Sequence, residues 1–250
     1  MNLLAFDTST EVMSIGVSRT VDGVAQQWLH TGAGGAHAST GLIAAVMDLL
    51  QQAGLALSEL DAICFGAGPG SFTGLRTACA VAQGLAFGAD VPVLPVDTLL
   101  AVAEEARTTA PAGTALQRVT ALLDARMDEM YAAVYDFDGT QWHTLLDSHL
   151  VRPESLTLVD GSGSGALVQV LVGNVFAVYG ERLTGVPAAT PCIAALPTAA
   201  AMLRLAPNLL VAGQAVTAAQ ALPRYIRDKV AKTTDERMAE KAAIAAAAAQ

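Results

Sequence analysis

Residues 66–76 read Gly66-Ala67-Gly68-Pro69-Gly70-Ser71-Phe72-Thr73-Gly74-Leu75-Arg76, between an apolar run and an alanine-rich segment. Glycines and a proline let the backbone turn where side chains would forbid it. A glycine loop that feeds a helix presents free N–H groups, and the helix dipole favours an anion there. Ser71 is placed to cap that helix. The chemistry on offer is anion binding by Gly68, Gly70, Ser71, Thr73 and Gly74, with Arg76 as the only nearby cation. The loop lacks the G-x-x-x-x-G-K-[ST] spacing of a nucleoside-triphosphate loop.

Two aspartates open polar turns, Asp7-Thr8-Ser9-Thr10 and Asp124-Ala125-Arg126-Met127. Either could hold a hydrated Mg²⁺. The preferred reading is a turn residue that bonds its own backbone. The four histidines, His30, His37, His143 and His149, include no pair at helical i, i+4 spacing, and His37 is read as a cap or surface residue. Cys64, Cys79 and Cys192 form no C-x-x-C and read as small buried hydrophobes in a reducing compartment. Ser39 lies two residues from His37, but such neighbours on a helix do not face each other. With no G-x-S-x-G elbow either, a peptidase reading is set aside.

The elements that must position these residues follow from periodicity. Strands are predicted over Asn2 to Asp7, Met13 to Arg19 and Val24 to His30, with Asp22-Gly23 as a hairpin turn. A helix is predicted from Ala36 to Ala53, with Gly54 as its C-cap. Then come a strand 62–65, a helix 71–89, a strand Pro92 to Val96, and a helix from Asp97 to Arg107. This β-β-β-α-β-α-β-α order predicts a mixed sheet with helices on its faces. It is the order of the ribonuclease-H-like half of actin-type ATPases.

The second half repeats it weakly. Strands are predicted over Arg118 to Asp124, Glu129 to Asp136, Gln141 to Leu146 and Leu167 to Val172, with a turn at Asp138-Gly139 and a surface loop over 161–165. Helices are predicted over Asn174 to Glu181, Pro197 to Ala206 and Gln214 to Leu222, and an alanine tail, Ala242 to Ala249, is expected to fray.

The 71–89 helix carries Gly74, Ala78, Ala82 and Ala86 on one face. Such a face either packs internally or admits a helix of another subunit. The preferred expectation joins Gly74, Ala78 and Ala82 to Leu42, Ile43, Val46 and Met47 of the preceding helix as an apolar partner surface.

At 250 residues and 53% hydrophobic, the chain has material for one large core or two small ones. A net charge of −9 argues against it holding nucleic acid by itself. Its apolar runs are too short for a membrane span and no leader pattern opens it, so a soluble, cytoplasmic protein is expected.

Four stretches together resemble the TsaB (YeaZ) family: Leu4 to Thr10, Gly66 to Arg76, Leu123 to Tyr131, and Pro223-Arg224-Tyr225-Ile226-Arg227. They span residues 3 to 227, and 142–210 matches less clearly. The resemblance implies an α/β, actin-like ATPase (ASKHA) fold of two ribonuclease-H-like halves with mixed sheets flanked by helices. The halves would be 1–106 with 210–228, and 107–209, followed by a flexible tail 229–250.

The resemblance further implies a non-catalytic subunit of tRNA N6-threonylcarbamoyladenosine biosynthesis. The subunit pairs through two helices with the catalytic subunit TsaD, or with itself, and TsaE joins. TsaD transfers the carbamoyl group from threonylcarbamoyl-adenylate to N6 of adenosine 37 of the tRNA. Aligned through 92–96, the H-x-x-x-H metal pair of TsaD falls here on Thr98 and Val102, which cannot replace imidazoles. The phosphate turns of the fold are degraded at Asp7, Thr8, Ser9 and Thr10 and at Asp124 and Arg126, where glycine is missing. The chain is therefore expected to bind no cofactor alone, with room for ATP or ADP only in the complex. It is expected to meet tRNA only indirectly and no membrane. The rival reading is an ATP-dependent phosphotransferase of the actin-like class, which only the element order and the 66–76 loop favour.

Overall fold

The computed structural model describes residues 1–111, 116–159 and 169–227, apart from the side chains of Ala36 and His37. The reading of His37 as a cap or surface residue, the 161–165 loop, Leu167 and the 229–250 tail fall outside these.

The first sheet is built from β1 (Leu3–Asp7), β2 (Val12–Val21), β3 (Val24–Ala33), β4 (Ala62–Gly68) and β5 (Val93–Asp97), in the order β3-β2-β1-β4-β5. β1 runs antiparallel to β2 and parallel to β4, which runs parallel to β5. Asp22 (φ 51°) and Gly23 (φ 80°) both take the left-handed conformation that a two-residue hairpin needs. Helices α1 (Leu42–Ala53) and α2 (Phe72–Ala89) cover one face, where Leu42, Val46, Ala78 and Ala82 share a core with Phe6, Ile15 and Phe65. Helix α3 (Thr98–Thr109) starts on the Asp97 carboxylate, which accepts from the N–H groups of Leu99 (2.8 Å) and Leu100 (3.2 Å).

The second sheet has β6 (Arg118–Arg126), β7 (Glu129–Phe137), β8 (Trp142–Val151), β9 (Gln169–Gly173) and β10 (Cys192–Ala194), in the order β10-β9-β6-β7-β8. Its pairings match the first sheet strand for strand: β6 is antiparallel to β7 and parallel to β9, and β9 is parallel to β10. Helix α4 (Phe176–Tyr179) follows β9, and α5 (Ala199–Val211) packs on the second face of the first sheet, against Leu3, Ala5, Cys64 and Leu94. The chain has thus rejoined the first sheet by residue 199, ahead of the boundary at 210 expected from the sequence.

Several elements differ from expectation for identifiable reasons. Before α1 the chain makes a 3-10 turn, Gly35–Thr40, because Gly34, Gly35 and Gly41 interrupt the helical pattern. Pro207 does not end α5 but lies inside it, since Leu209 and Leu210 beyond it pack on the core and hold that turn in place. Residues 214–222 do not form a helix. Val216 instead exchanges two backbone hydrogen bonds with Val93 (2.9 and 2.8 Å) and covers the edge of β5, and a 3-10 turn, Ala218–Gln220, follows. Cys64 and Cys79 are buried, whereas Cys192 is exposed on the unforeseen edge strand β10. Among the described residues, no helix is long and apolar enough to cross a membrane.

Candidate functional site

The turn after β1 lies directly on the glycine loop. An added Cβ at Gly66 would stand 1.8 Å from Asp7 Oδ2, at Gly70 2.5 Å from Ser9 Cβ, and at Gly74 1.9 Å from the Thr8 carbonyl oxygen. Hydrogen bonds fix the contact. Ser71 N–H donates to Ser9 O (2.7 Å) and the Thr8 hydroxyl donates to Gly74 O (2.7 Å). These glycines therefore admit residues 7–9 rather than an open phosphate. Ser71 occupies the N-cap position of α2, but its side chain makes no capping bond, contrary to expectation.

Asp7 is fully buried. Its Oδ1 accepts from Ser9 N–H (2.8 Å) and the Ser9 hydroxyl (2.6 Å), as expected of a turn residue. Thr98 Oγ1 donates to Oδ2 (3.5 Å) and accepts from Gly68 N–H (3.1 Å). Burial pushes the Asp7 carboxyl from its ordinary 3.8 up to about 6, with the Ser9 bonds opposing. The folded state then holds this proton more tightly than the unfolded chain. The favourable contribution is complete below about pH 3.8 and is lost as pH rises through about 6. Asp7→Asn is expected to match the native stability at pH 4 and exceed it at pH 7.5 by on the order of 3 kcal/mol. Urea midpoints at the two pH values test this, and an equal offset at both would refute it.

The turn after β6 is the counterpart. Asp124 Oδ1 accepts from Arg126 N–H (2.8 Å) and the Tyr179 hydroxyl (3.0 Å), and Oδ2 accepts from Arg126 Nη1 (2.9 Å). Asn174 Oδ1 accepts from Asp124 N–H (2.9 Å). Arg126, Met127 and Asp128 follow one another with φ of 61°, 57° and 58°, a left-handed run without glycine. Arg227 Nη2 holds this turn by donating to Ala125 O, Arg126 O and Glu129 Oε2, and Arg182 pairs with Asp128 from the other side.

Residues 223–227 close the space between the two turns. Arg224 N–H donates to Ala67 O (2.6 Å), and its guanidinium reaches Asp97 Oδ2 (3.2 Å). Asp97 also accepts from Tyr135 on β7 and Ser148 on β8, so one carboxylate ties both sheets to this strap. Arg76 lies 3.9 Å over the Phe72 ring and donates to the Tyr225 hydroxyl (3.1 Å). The segments 7–10, 66–76, 123–131 and 223–227 thus enclose one cavity of about 480 Å³. Asn174 was not foreseen as part of its lining, nor were Tyr179 and Arg182 foreseen as supports of the second turn. Asp97 was foreseen only as a helix cap, and Arg224 and Arg227 only as motif members. The sequence signal available was two arginines packed into Pro223–Arg227 of an acidic chain.

The N–H groups of Ser9, Ser71 and Arg126 are bonded within the chain, and Arg126 and Met127 line the cavity at the second turn. Thr98 is buried on the Asp7 network and Val102 lies in the apolar core of the second sheet. Among the described residues, no group of three or more His, Cys, Asp or Glu gathers as a metal site.

The expected partner surface needs correction. Leu42, Val46, Gly74, Ala78 and Ala82 are buried inside the chain, against the first sheet or the 7–10 turn. Only Ile43 (53% exposed) and Met47 (47%) face outward. On α2 the outward residues include Ala80, Gly84 and Phe87, the last 85% exposed.

The family model described as TsaD, tRNA N6-adenosine threonylcarbamoyltransferase, matches residues 25–235. The chain is similar to the tRNA threonylcarbamoyladenosine biosynthesis protein TsaB of Haemophilus influenzae, at 33% identity over 92% of this chain and 95% of that one. The Escherichia coli protein of the same name is also 33% identical, over 92% and 96%. A solved structure of YeaZ from Pseudomonas aeruginosa superposes with a TM-score of 0.75 at 36% identity, covering 90% of this chain and 99% of that one.

Proposed function

Because the chain belongs to the TsaB family of tRNA threonylcarbamoyladenosine biosynthesis proteins, we propose that it is the non-catalytic partner of TsaD in that pathway. It works in the cytoplasm, TsaE joins the pair, and tRNA is reached only through the assembly. The observation that carries the reading is the fate of two positions. Where the resemblance aligns TsaD's metal-binding imidazoles, Thr98 bonds Asp7 and Gly68, and Val102 fills an apolar core. Any ATP or ADP belongs to the assembled complex rather than to this chain alone.

The pairing surface is the outward side of α1 and α2: Ile43 and Met47 with Ala80, Gly84 and Phe87. Exposed apolar side chains beside small residues let partner helices approach closely. The same surface serves self-pairing when TsaD is absent. Gly84→Arg tests it, because an added Cβ at Gly84 meets nothing within 4 Å and arginine favours a helix more than glycine does. The variant is expected to keep the native melting temperature and to lose co-elution with TsaD on a sizing column. A folded variant that still pairs would move the interface elsewhere. In a reconstituted assay the chain without TsaD is expected to yield no modified tRNA, and product from it alone would overturn the non-catalytic role.

A further inference from the structure

The two sheets end in four edge strands, and three of these are guarded. β5 is covered by Val216 through two backbone hydrogen bonds. β10 is three residues long. β8 carries Asp147 and two register shifts against β7. Short edges, charges and irregular register keep strand edges from pairing with other chains. β3 has none of these devices. It runs ten residues without a proline, Asp, Glu, Lys or Arg, and it pairs with β2 in unbroken register from Val24 to Ala33. Among the described residues nothing pairs with its outer side.

The hairpin decides which backbone groups face out. A two-residue turn is closed by a pair that exchanges both hydrogen bonds, here Val21 and Val24. Alternation then aims the N–H and C=O groups of Val24, Gln26, Trp28, His30 and Gly32 at β2. Those of Ala25, Gln27, Leu29, Thr31 and Ala33 point outward, and all of these residues are exposed. The outward set is symmetric about Leu29. An antiparallel copy related by a two-fold axis at Leu29 sets Leu29 against its own counterpart, Gln27 against Thr31 and Ala25 against Ala33. About ten backbone hydrogen bonds form, two for each facing pair. Leu29, 53% exposed, gains an apolar cross-strand neighbour. No charge within β3 meets another, although each copy carries −9. Such self-complementarity is what an isologous interface requires. We propose that β3 pairs with β3 of a second copy of this chain, antiparallel and centred on Leu29, so that the two first sheets become one continuous sheet. None of these residues belongs to the α1 and α2 surface assigned to TsaD, so the contact does not rest on that reading.

The test is self-association of the full chain in a Gly84→Arg background, which removes pairing through α1 and α2. Sedimentation is expected to show a dimer at about 100 μM, where contacts of micromolar strength are filled. Leu29→Lys in that background sets like charges directly opposite each other and is expected to weaken the dimer about tenfold or more. Leu29→Glu is expected to do the same. Mixing the two variants restores pairing, as a heterodimer of the two, because the axis sets position 29 opposite itself. A folding defect at Leu29 would not be repaired by mixing. A Gly84→Arg chain that stays monomeric would overturn the proposal and leave this edge to a strand of another protein. A dimer indifferent to Leu29→Lys, or no recovery on mixing, would overturn it as well. In the native background both Leu29 variants are expected to keep co-elution with TsaD, the property Gly84→Arg is expected to lose, so the two readings fail separately.

Discussion

Gly74→Ala is expected to remove a large share of the chain's stability. The new Cβ would stand 1.9 Å from the Thr8 carbonyl oxygen, and both partners are backbone. Neither side yields easily. The turn is held by the Ser71 N–H to Ser9 O and Thr8 hydroxyl to Gly74 O bonds, both 2.7 Å, and by the buried Asp7 carboxylate on Ser9. A forced shift breaks several of these together. The expected cost is about 4–5 kcal/mol, in the range reserved for backbone clashes, against a total stability of about 5–15 kcal/mol. Gly84→Ala is the matched control on the same helix. With open space around its Cβ, it is expected to stabilise by about 0.5–1 kcal/mol through helix propensity. Urea denaturation of both variants measures the difference. A Gly74→Ala loss under about 1 kcal/mol would mean that the 7–10 turn is free to move, against the packing argument.

Ala82→Arg is the second large effect. Ala82 is fully buried in the core shared by α1, α2 and the first sheet. A guanidinium there would enter a cluster of apolar side chains that includes Phe6, Ile15 and Phe65. Burying an unpaired charge and overfilling the site together cost several kcal/mol, enough to unfold the chain. Ala80→Arg, two residues earlier and exposed, is expected to shift the melting temperature by no more than a degree or two. Circular dichroism melts of the pair locate the buried side of α2. A folded Ala82→Arg protein would show that this side is open in solution.

That helix also marks where the sequence stops being legible. The four-residue spacing of Gly74, Ala78, Ala82 and Ala86 correctly places them on one face. It does not tell which face is inside, because Thr77, Ala80, Gly84 and Gly88 form a second row that is nearly as small. The same limit shows in α1, where Leu42 and Val46, expected on the outward surface, face the core and only Ile43 and Met47 of that set face outward. Local devices are legible: Asp22-Gly23, Gly54 and Asp97 act within two or three residues of themselves.

The glycine loop misleads because its partner is distant in sequence. Gly66, Gly70 and Gly74 answer to Asp7, Ser9 and Thr8, some sixty residues away, and no local pattern announces that contact. The same holds for Arg227, whose partners lie at 125, 126 and 129. Motifs quoted as separate stretches proved to be one site only when folding brought them together. Val216 overrides its helical surroundings because the β5 edge offers it two hydrogen bonds.

The position of α5 has a consequence for synthesis of the chain. The five strands of the first sheet are complete by Asp97, yet the face formed by Leu3, Ala5, Cys64 and Leu94 receives α5 only with residues 199–211. The ribosome must therefore add about a hundred further residues before that face gains this cover, and Val216 reaches the β5 edge later still. During this interval the nascent chain displays apolar side chains and an unpaired strand edge, the two features that recruit chaperones or neighbouring chains. The first half does not mature before the second. Both are finished together, when the last strap of chain arrives at Ala67 and Asp97.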